Sequence, residues 1–278
     1  MATENRQIAF FLMGLAAICL VISFSAYQLT TYDSIRSIIG ETAVQPSGMA
    51  SLHSQYSDLQ DFLTGSTNNI FTYHFAGSYI KVSRAQVLGK SEQQCNSLVL
   101  DSFTKSFYTG TDTGDLKSTY VFVGSGANAI YALLAFIFFI IFAGILLLAY
   151  TRHWFDNNVE LLKSSGTMIV AVCVVAFFVF LILPGILKSM MWNILYRSTL
   201  YQEVLYVVEP RVSATFLVNT LIMTLLGAVS YGLGFFIGFE EKEHEESTER
   251  QFERKAAKPR LQSAKVRDVP SKPGRRQL

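Results

Sequence analysis

Four histidines and three cysteines are the only imidazole and thiol groups in the 278-residue chain, and neither set is spaced for catalysis or metal binding. His53, His74, His153 and His244 are scattered along the sequence, as are Cys19, Cys95 and Cys173. No HExxH, CxxC or GxxxxGKS/T pattern occurs, so no zinc site, redox dithiol or phosphate loop is expected, and no cofactor. Asp58 and Asp61 share a helical face, but that face is polar, which suits a solvated surface better than an acid–base pair. The sets that do carry a signal are suited to binding. From Arg254 onward nine basic residues, Arg254, Lys255, Lys258, Arg260, Lys265, Arg267, Lys272, Arg275 and Arg276, stand against one acid, Asp268. Near an anionic leaflet each such residue contributes about 1 kcal/mol, and the same display suits an acidic protein surface. The bland alternative is that these charges only fix the direction of membrane insertion. Trp192, Tyr196, Tyr201 and Tyr206 form a second set, read either as an interfacial aromatic belt or as a partner contact. Ser230, Gly234 and Gly238 form a third, a small-residue stripe for close helix packing, within the chain or against a second copy.

These sets are positioned by four apolar runs, each near the length of about 20 residues that crosses a bilayer. They cover residues 8–27, 129–150, 167–187 and 213–239, and no Asp, Glu, Lys, Arg or His lies at the centre of any. Soluble helices of this length show a polar face, so the runs predict transmembrane helices. The first has a rival reading as a cleaved signal peptide, since "SFSA" offers small residues, although its apolar stretch is long for one. Intramembrane charges normally mark ion and proton paths; without them, a pore or transporter is the less favoured reading. Arg6, Arg152, Lys163 and the eleven basic residues of the tail fall on one side of a four-span threading. By the positive-inside bias both termini are expected in the cytoplasm. Residues 1–7, 151–166 and 240–278 would then be cytoplasmic, and residues 28–128 and 188–212 extracellular.

Residues 28–128 are too many for a bare connector. Ile35, Ile38 and Ile39 continue a helical stripe out of the first span, "QPSG" breaks it, and Met49, Leu52, Tyr56, Leu59 and Leu63 mark an amphipathic helix. "IFTYHFAGSYIKVS", "SLVLDSFTKSFYTG" and "STYVFV" are rich in aromatic and β-branched residues and predict strands, with "TGTDTGD" as a hairpin connection. Cys95 is the one cysteine of this segment, so no disulfide closes within it; it is either a free thiol or a link between chains. Past the last span, Glu246 and Arg250 pair at helical spacing, Pro259 is expected to stop that helix at about residue 258, and the remainder is too polar to fold alone. The fold expected is an α-helical integral membrane protein, a four-helix transmembrane bundle with a small extracellular α+β cap.

Cytoplasmic ends, four spans, a large first outer segment with β character and a short second one resemble the layout of the claudin-like tetraspan superfamily. The resemblance is architectural: residues 28–128 hold no Trp and one Cys, so the family's Trp and paired-cysteine signature has no counterpart, and no residue here takes a paracellular-pore role from it. It implies a multi-pass plasma-membrane protein of cell junctions. With the basic tail, the expectation is a non-enzymatic adhesion and scaffold protein whose cap meets an extracellular or receptor partner. The tail would meet membrane lipids, a scaffold or actin regulators; homo-oligomers are possible, and nucleic acid is not an expected partner. The alternative is an auxiliary subunit that localises or clusters a channel or receptor.

Overall fold

Backbone amides in hydrocarbon have no water to bond, so a charge-free run satisfies them within one helix. The structure, a computed structural model describing residues 2–112, 117–152, 155, 158–195 and 199–265, has four helices of that kind. In chain order the elements are α1 (Ala2–Leu29), α2 (Tyr32–Ala43), α3 (Pro46–Gly65), β1 (Ile70–Phe75), β2 (Ser78–Ser83), α4 (Arg84–Val87), α5 (Glu92–Thr109), α6 (Lys117–Val123), α7 (Ser125–Thr151), α8 (Asn158–Leu195) and α9 (Thr199–Lys265). The apolar spans run over Arg6–Leu29, Thr119–Thr151, Asn158–Ile182 and Gln202–Gly238. The protein is thus a membrane-embedded α-helical bundle.

α8 and α9 pack along their length, α1 lies against both, and α7 lies along α1. Within the most apolar stretch of each span, 44% of the first is buried but only 11% of the second, so α7 is the peripheral helix. α2 to α6, with the β-hairpin, form a cap at one end of the bundle. Arg6, paired with Glu160 and 4.9 Å from the ring of Phe155, marks the opposite end.

The cap has its own core. Tyr73 and Phe75 of β1 and Ser78, Ile80 and Val82 of β2 alternate inward, in an antiparallel register that pairs Tyr73 with Ile80 and Phe75 with Ser78. Leu52 and Leu59 of α3 and Cys95, Val99, Phe103 and Phe107 of α5 pack against that face. Ala76 and Gly77 turn the hairpin with φ of 49° and 75°, positive at both central positions as a type I′ turn requires. Arg84 donates to the carbonyls of Leu63 and Ser66, 2.6 Å each, which bonds otherwise orphaned carbonyls at the end of α3 and places a cation at the negative end of its dipole.

Five expectations are corrected. "SLVLDSFTKSFYTG" is helical, within α5, because Ser91 and Gln94 form a capping box and Gly110, at φ 77°, closes the other end. "STYVFV" is helical, within α6, running into α7 with Gly124 as its N-cap. "TGTDTGD" therefore joins two helices, with residues 113–116 outside the described part. Most of residues 188–212 is helix rather than loop, since α8 reaches Leu195 and α9 starts at Thr199. The last helix does not stop at Pro259 but runs to Lys265.

Candidate functional site

Apolar spans leave few polar groups, and the structure gathers several of them where the cap meets the bundle. Asn219 of α9 donates to Ser25 Oγ and Gln28 Oε1, both at 2.8 Å. Asn128 at the start of α7 donates to the Tyr27 carbonyl, 2.9 Å, and to Thr30 Oγ1, 3.1 Å. In a low-dielectric setting such bonds satisfy groups that would otherwise be costly to bury, each contributing about 0.6–2 kcal/mol. They fix α1 to α7 and to α9 at the cap end.

The N-terminal turns of α9 meet α2 and α3 and clasp the cap. Arg211 donates to Ser37 Oγ at 2.8 Å and pairs with Glu41, both on α2. Glu203 accepts from the Ser47 backbone amide at 3.2 Å and from its hydroxyl. Gln45, the N-cap of α3, makes no side-chain capping bond, so Glu203 supplies from another helix the anion that a helix N-terminus favours. Within the cap, Arg36 Nε donates to Asp101 Oδ1 at 2.7 Å and ties α2 to α5; that hydrogen bond and the carboxylate charge push the guanidinium pKa up.

Between these anchors lies an apolar cavity of about 450 Å³, within the ordinary size of ligand sites. Ile35 and Ile39 of α2, Phe103 and Phe107 of α5, and Val208 and Phe216 of α9 contribute walls, and among the described residues no charged one does. Phe103 and Phe107 stack at 6.0 Å, and Phe75 meets Phe103 edge-on at 5.1 Å. A second hollow, about 430 Å³, lies between α1, α7 and α9, walled by Phe24, Phe136, Phe139 and Ile222 among others. No pattern in the sequence announced either space. The one legible signal was the helical stripe Val99, Phe103 and Phe107, four residues apart, which the strand reading obscured.

The small-residue stripe faces α8. Ser230 donates to the Leu162 carbonyl at 3.3 Å. A Cβ on Gly234 would lie 3.0 Å from Leu162 Cβ and from the Lys163 amide, and one on Gly238 would lie 2.8 Å from Val159. The seam continues to Gly227, missed in the sequence although it lies three residues before Ser230. A Cβ on Gly166 opposite would lie 2.6 Å from the Gly227 carbonyl and the Tyr231 amide. Of the aromatic set, Tyr206 is 69% exposed on α9 beside Glu41 and Arg211. Trp192 lies on α8 and Tyr201 on α9, their side chains outside the description, and Tyr196 lies outside the described residues. In the tail, Arg254, Lys255, Lys258, Arg260 and Lys265 lie on α9 with side chains not described, whereas Arg267, Lys272, Arg275 and Arg276 fall outside the described residues.

Among the described residues no cluster of three or more His, Cys, Asp or Glu has the arrangement of a metal site. His53 Nδ1 lies 2.9 Å from Glu92 Oε1 on the cap surface, its side chain 77% exposed. Asp58 and Asp61 are exposed on α3. Cys95 is a free thiol wholly buried in the cap core, and burial pushes its pKa up, which fits a packing role and not a link between chains. Compared with protein-family models, with curated proteins and with solved structures, the chain matches none.

Proposed function

We propose that this chain is a non-enzymatic organiser of the plasma membrane, claudin-like in layout, whose cap binds a receptor, a neighbouring cell or matrix on the outer side. Its basic tail, at Arg254–Arg276, binds anionic lipid and a cytoplasmic scaffold or actin regulator on the inner side. The observation that carries this reading is α9, one helix from Glu203 and Arg211, which hold the cap, through the bilayer to Lys265 in the basic tail. A continuous helix is the simplest device for fixing an outer contact to an inner one. Both termini in the cytoplasm and cell-junction residence belong to the same proposal.

Deleting Arg254–Leu278 tests it. Surface delivery should persist, because the spans and Lys163 remain, while recruitment of cortical scaffold, read by proximity labelling from the N-terminus, should fall at least fivefold. Recruitment unchanged in the deletion would transfer the function to the membrane face. That is the alternative reading, an auxiliary subunit of a channel or receptor, and α7 favours it: its apolar side chains Leu133, Phe136, Ile137, Phe139 and Ile140 are all exposed and accessible to a neighbouring helix.

A further inference from the structure

Each helix of the α8–α9 pair carries a proline, and the two stand at nearly the same height. The rings of Phe180 and Phe216 meet at 4.7 Å. From that contact Pro184 lies four residues further toward the cap on α8, and Pro210 six residues further on α9. At the helical rise the two levels differ by about 3 Å. Proline has no amide hydrogen, so the carbonyls of Phe180 and Tyr206, four residues earlier, lose their partners in the ladder. Sharp bends in helices fall at such positions. Gly185 follows Pro184, with nothing within 4 Å of where a Cβ would stand, and weakens α8 at the same level. Both helices run through these breaks. A weak plane therefore crosses the hairpin, and beyond it lies a tip made of residues 185–195 and 199–209.

The α9 half of this tip has a hollow on either flank. Tyr206, Val207 and Pro210 face Ser37, Gly40 and Glu41 of α2 across an open hollow of about 640 Å³. Val204, Leu205 and Val208 face the apolar hollow of about 450 Å³ beneath the cap. At 3.6 residues per turn the two sets lie on opposite sides of α9. Close packing is what ordinarily holds an element in one position; here polar contacts take a larger share. Arg211, directly after Pro210, bonds Ser37 and pairs with Glu41, which pins the bundle side of the break. Glu203, seven residues before Pro210, accepts from the amide and hydroxyl of Ser47 at the start of α3, which pins the tip.

We infer that the hairpin tip is a hinged wall of the hollow beneath the cap, bending at Pro184 and Pro210 and latched by Glu203 on Ser47. Latched, Val204, Leu205 and Val208 close one side of that hollow. Released, the tip swings about the pinned Arg211 toward α2, where the second hollow supplies the room, and the closed side opens. Access to the apolar space beneath the cap then depends on one carboxylate. The inference rests on the fold of the α8–α9 pair and is independent of what the tail binds.

The test uses the full chain in nanodiscs, with nitroxides at Asp58 on α3 and Tyr206 on the tip, both exposed, after Cys19→Ala. Without further change the pair should give one narrow dipolar distance. Glu203→Ala should broaden the distribution at least twofold and add a second distance. Replacing both prolines in that background, Pro184→Ala with Pro210→Ala, should return a single narrow distance. A distribution already broad with the latch intact, or unchanged in Glu203→Ala, would overturn the latch. Breadth that persists with both prolines replaced would overturn the hinge. Protection of Cys95 from maleimide reports a folded cap. Should Glu203→Ala lose it, Ser47→Ala, which removes the hydroxyl alone, is read by the same criteria.

Discussion

Tyr73 carries its hydroxyl into the cap core with no hydrogen-bond partner, on a side chain that is fully buried. Leaving such a group unsatisfied costs about 1–3 kcal/mol, while the ring itself packs edge-on against Phe71 at 5.1 Å. Tyr73→Phe keeps the ring and removes the orphan, so it should raise cap stability by about 1 kcal/mol, measured by urea unfolding in nanodiscs with near-ultraviolet circular dichroism. Burial raises the Tyr73 pKa above its ordinary 10.0, so its contribution is complete below pH 10 and is lost as pH rises toward the folded value. Cys95, shifted upward from 9.0 by burial, acts in the same direction from about pH 9. The cap should therefore lose stability on the alkaline side, and the advantage of the Tyr73→Phe variant over wild type should widen above pH 10. A variant less stable than wild type at neutral pH would mean that the hydroxyl is bonded after all. None of this was visible in the sequence: Tyr73 read as one more aromatic in a strand, because orphaning is a property of neighbours, not of spacing.

The contact of α8 with α9 depends on missing side chains. At Gly166 and Gly227 the two backbones meet so closely that a methyl on either has no room, the obstacle at Gly166 being a carbonyl and an amide and not a flexible side chain. Gly166→Val should force the helices apart and cost about 1–3 kcal/mol, the range for overpacked sites. It should show as a lower midpoint in thermal unfolding, whereas Gly144→Val, on α7 with nothing within 4 Å, should shift it little. At this scale the sequence was legible in part. Ser230, Gly234 and Gly238 revealed that α9 has a close-packing face, but not that Gly166 lies opposite, since a pairing partner is set by the hairpin and not by local pattern. The strand character of "IFTYHFAGSYIKVS" was legible because it alternates with period two, but its turn at Ala76 and Gly77 was not, the hairpin connection being expected at "TGTDTGD". "SLVLDSFTKSFYTG" was not legible as a helix, because β-branched and aromatic content reflects fit to a half-buried surface, which one face of a helix also offers. Its stripe at four-residue spacing and the Ser91–Gln94 box were the better signals. Pro259 was read as a stop, yet the ring removes one hydrogen bond without fixing where a helix must end.

Across the whole molecule, the four spans were legible from the sequence because charge-free runs have one structural solution in a bilayer, whereas the two hollows were not, because no residue encodes a space. What unites cap, bilayer and tail is the unbroken course of α9, 67 residues from Thr199 to Lys265. Continuity has a measurable length: Tyr206 beside the cap and Glu241 beyond the last span are 35 residues apart, about 52 Å along a helix. Nitroxides at these positions, after Cys19→Ala, should give one narrow dipolar distance near that value. Four glycines inserted after Gly238 should broaden it and move it shorter, while leaving Cys95 protected and the cap intact. The insertion should also separate the two halves of the proposed function. Tail recruitment of an inner partner would persist, since Arg254–Arg276 is unaltered, but its dependence on cap occupancy would vanish. A broad distance already present in the uninterrupted chain would mean that the cap and tail move independently, and the case for a rigid link through α9 would fail there.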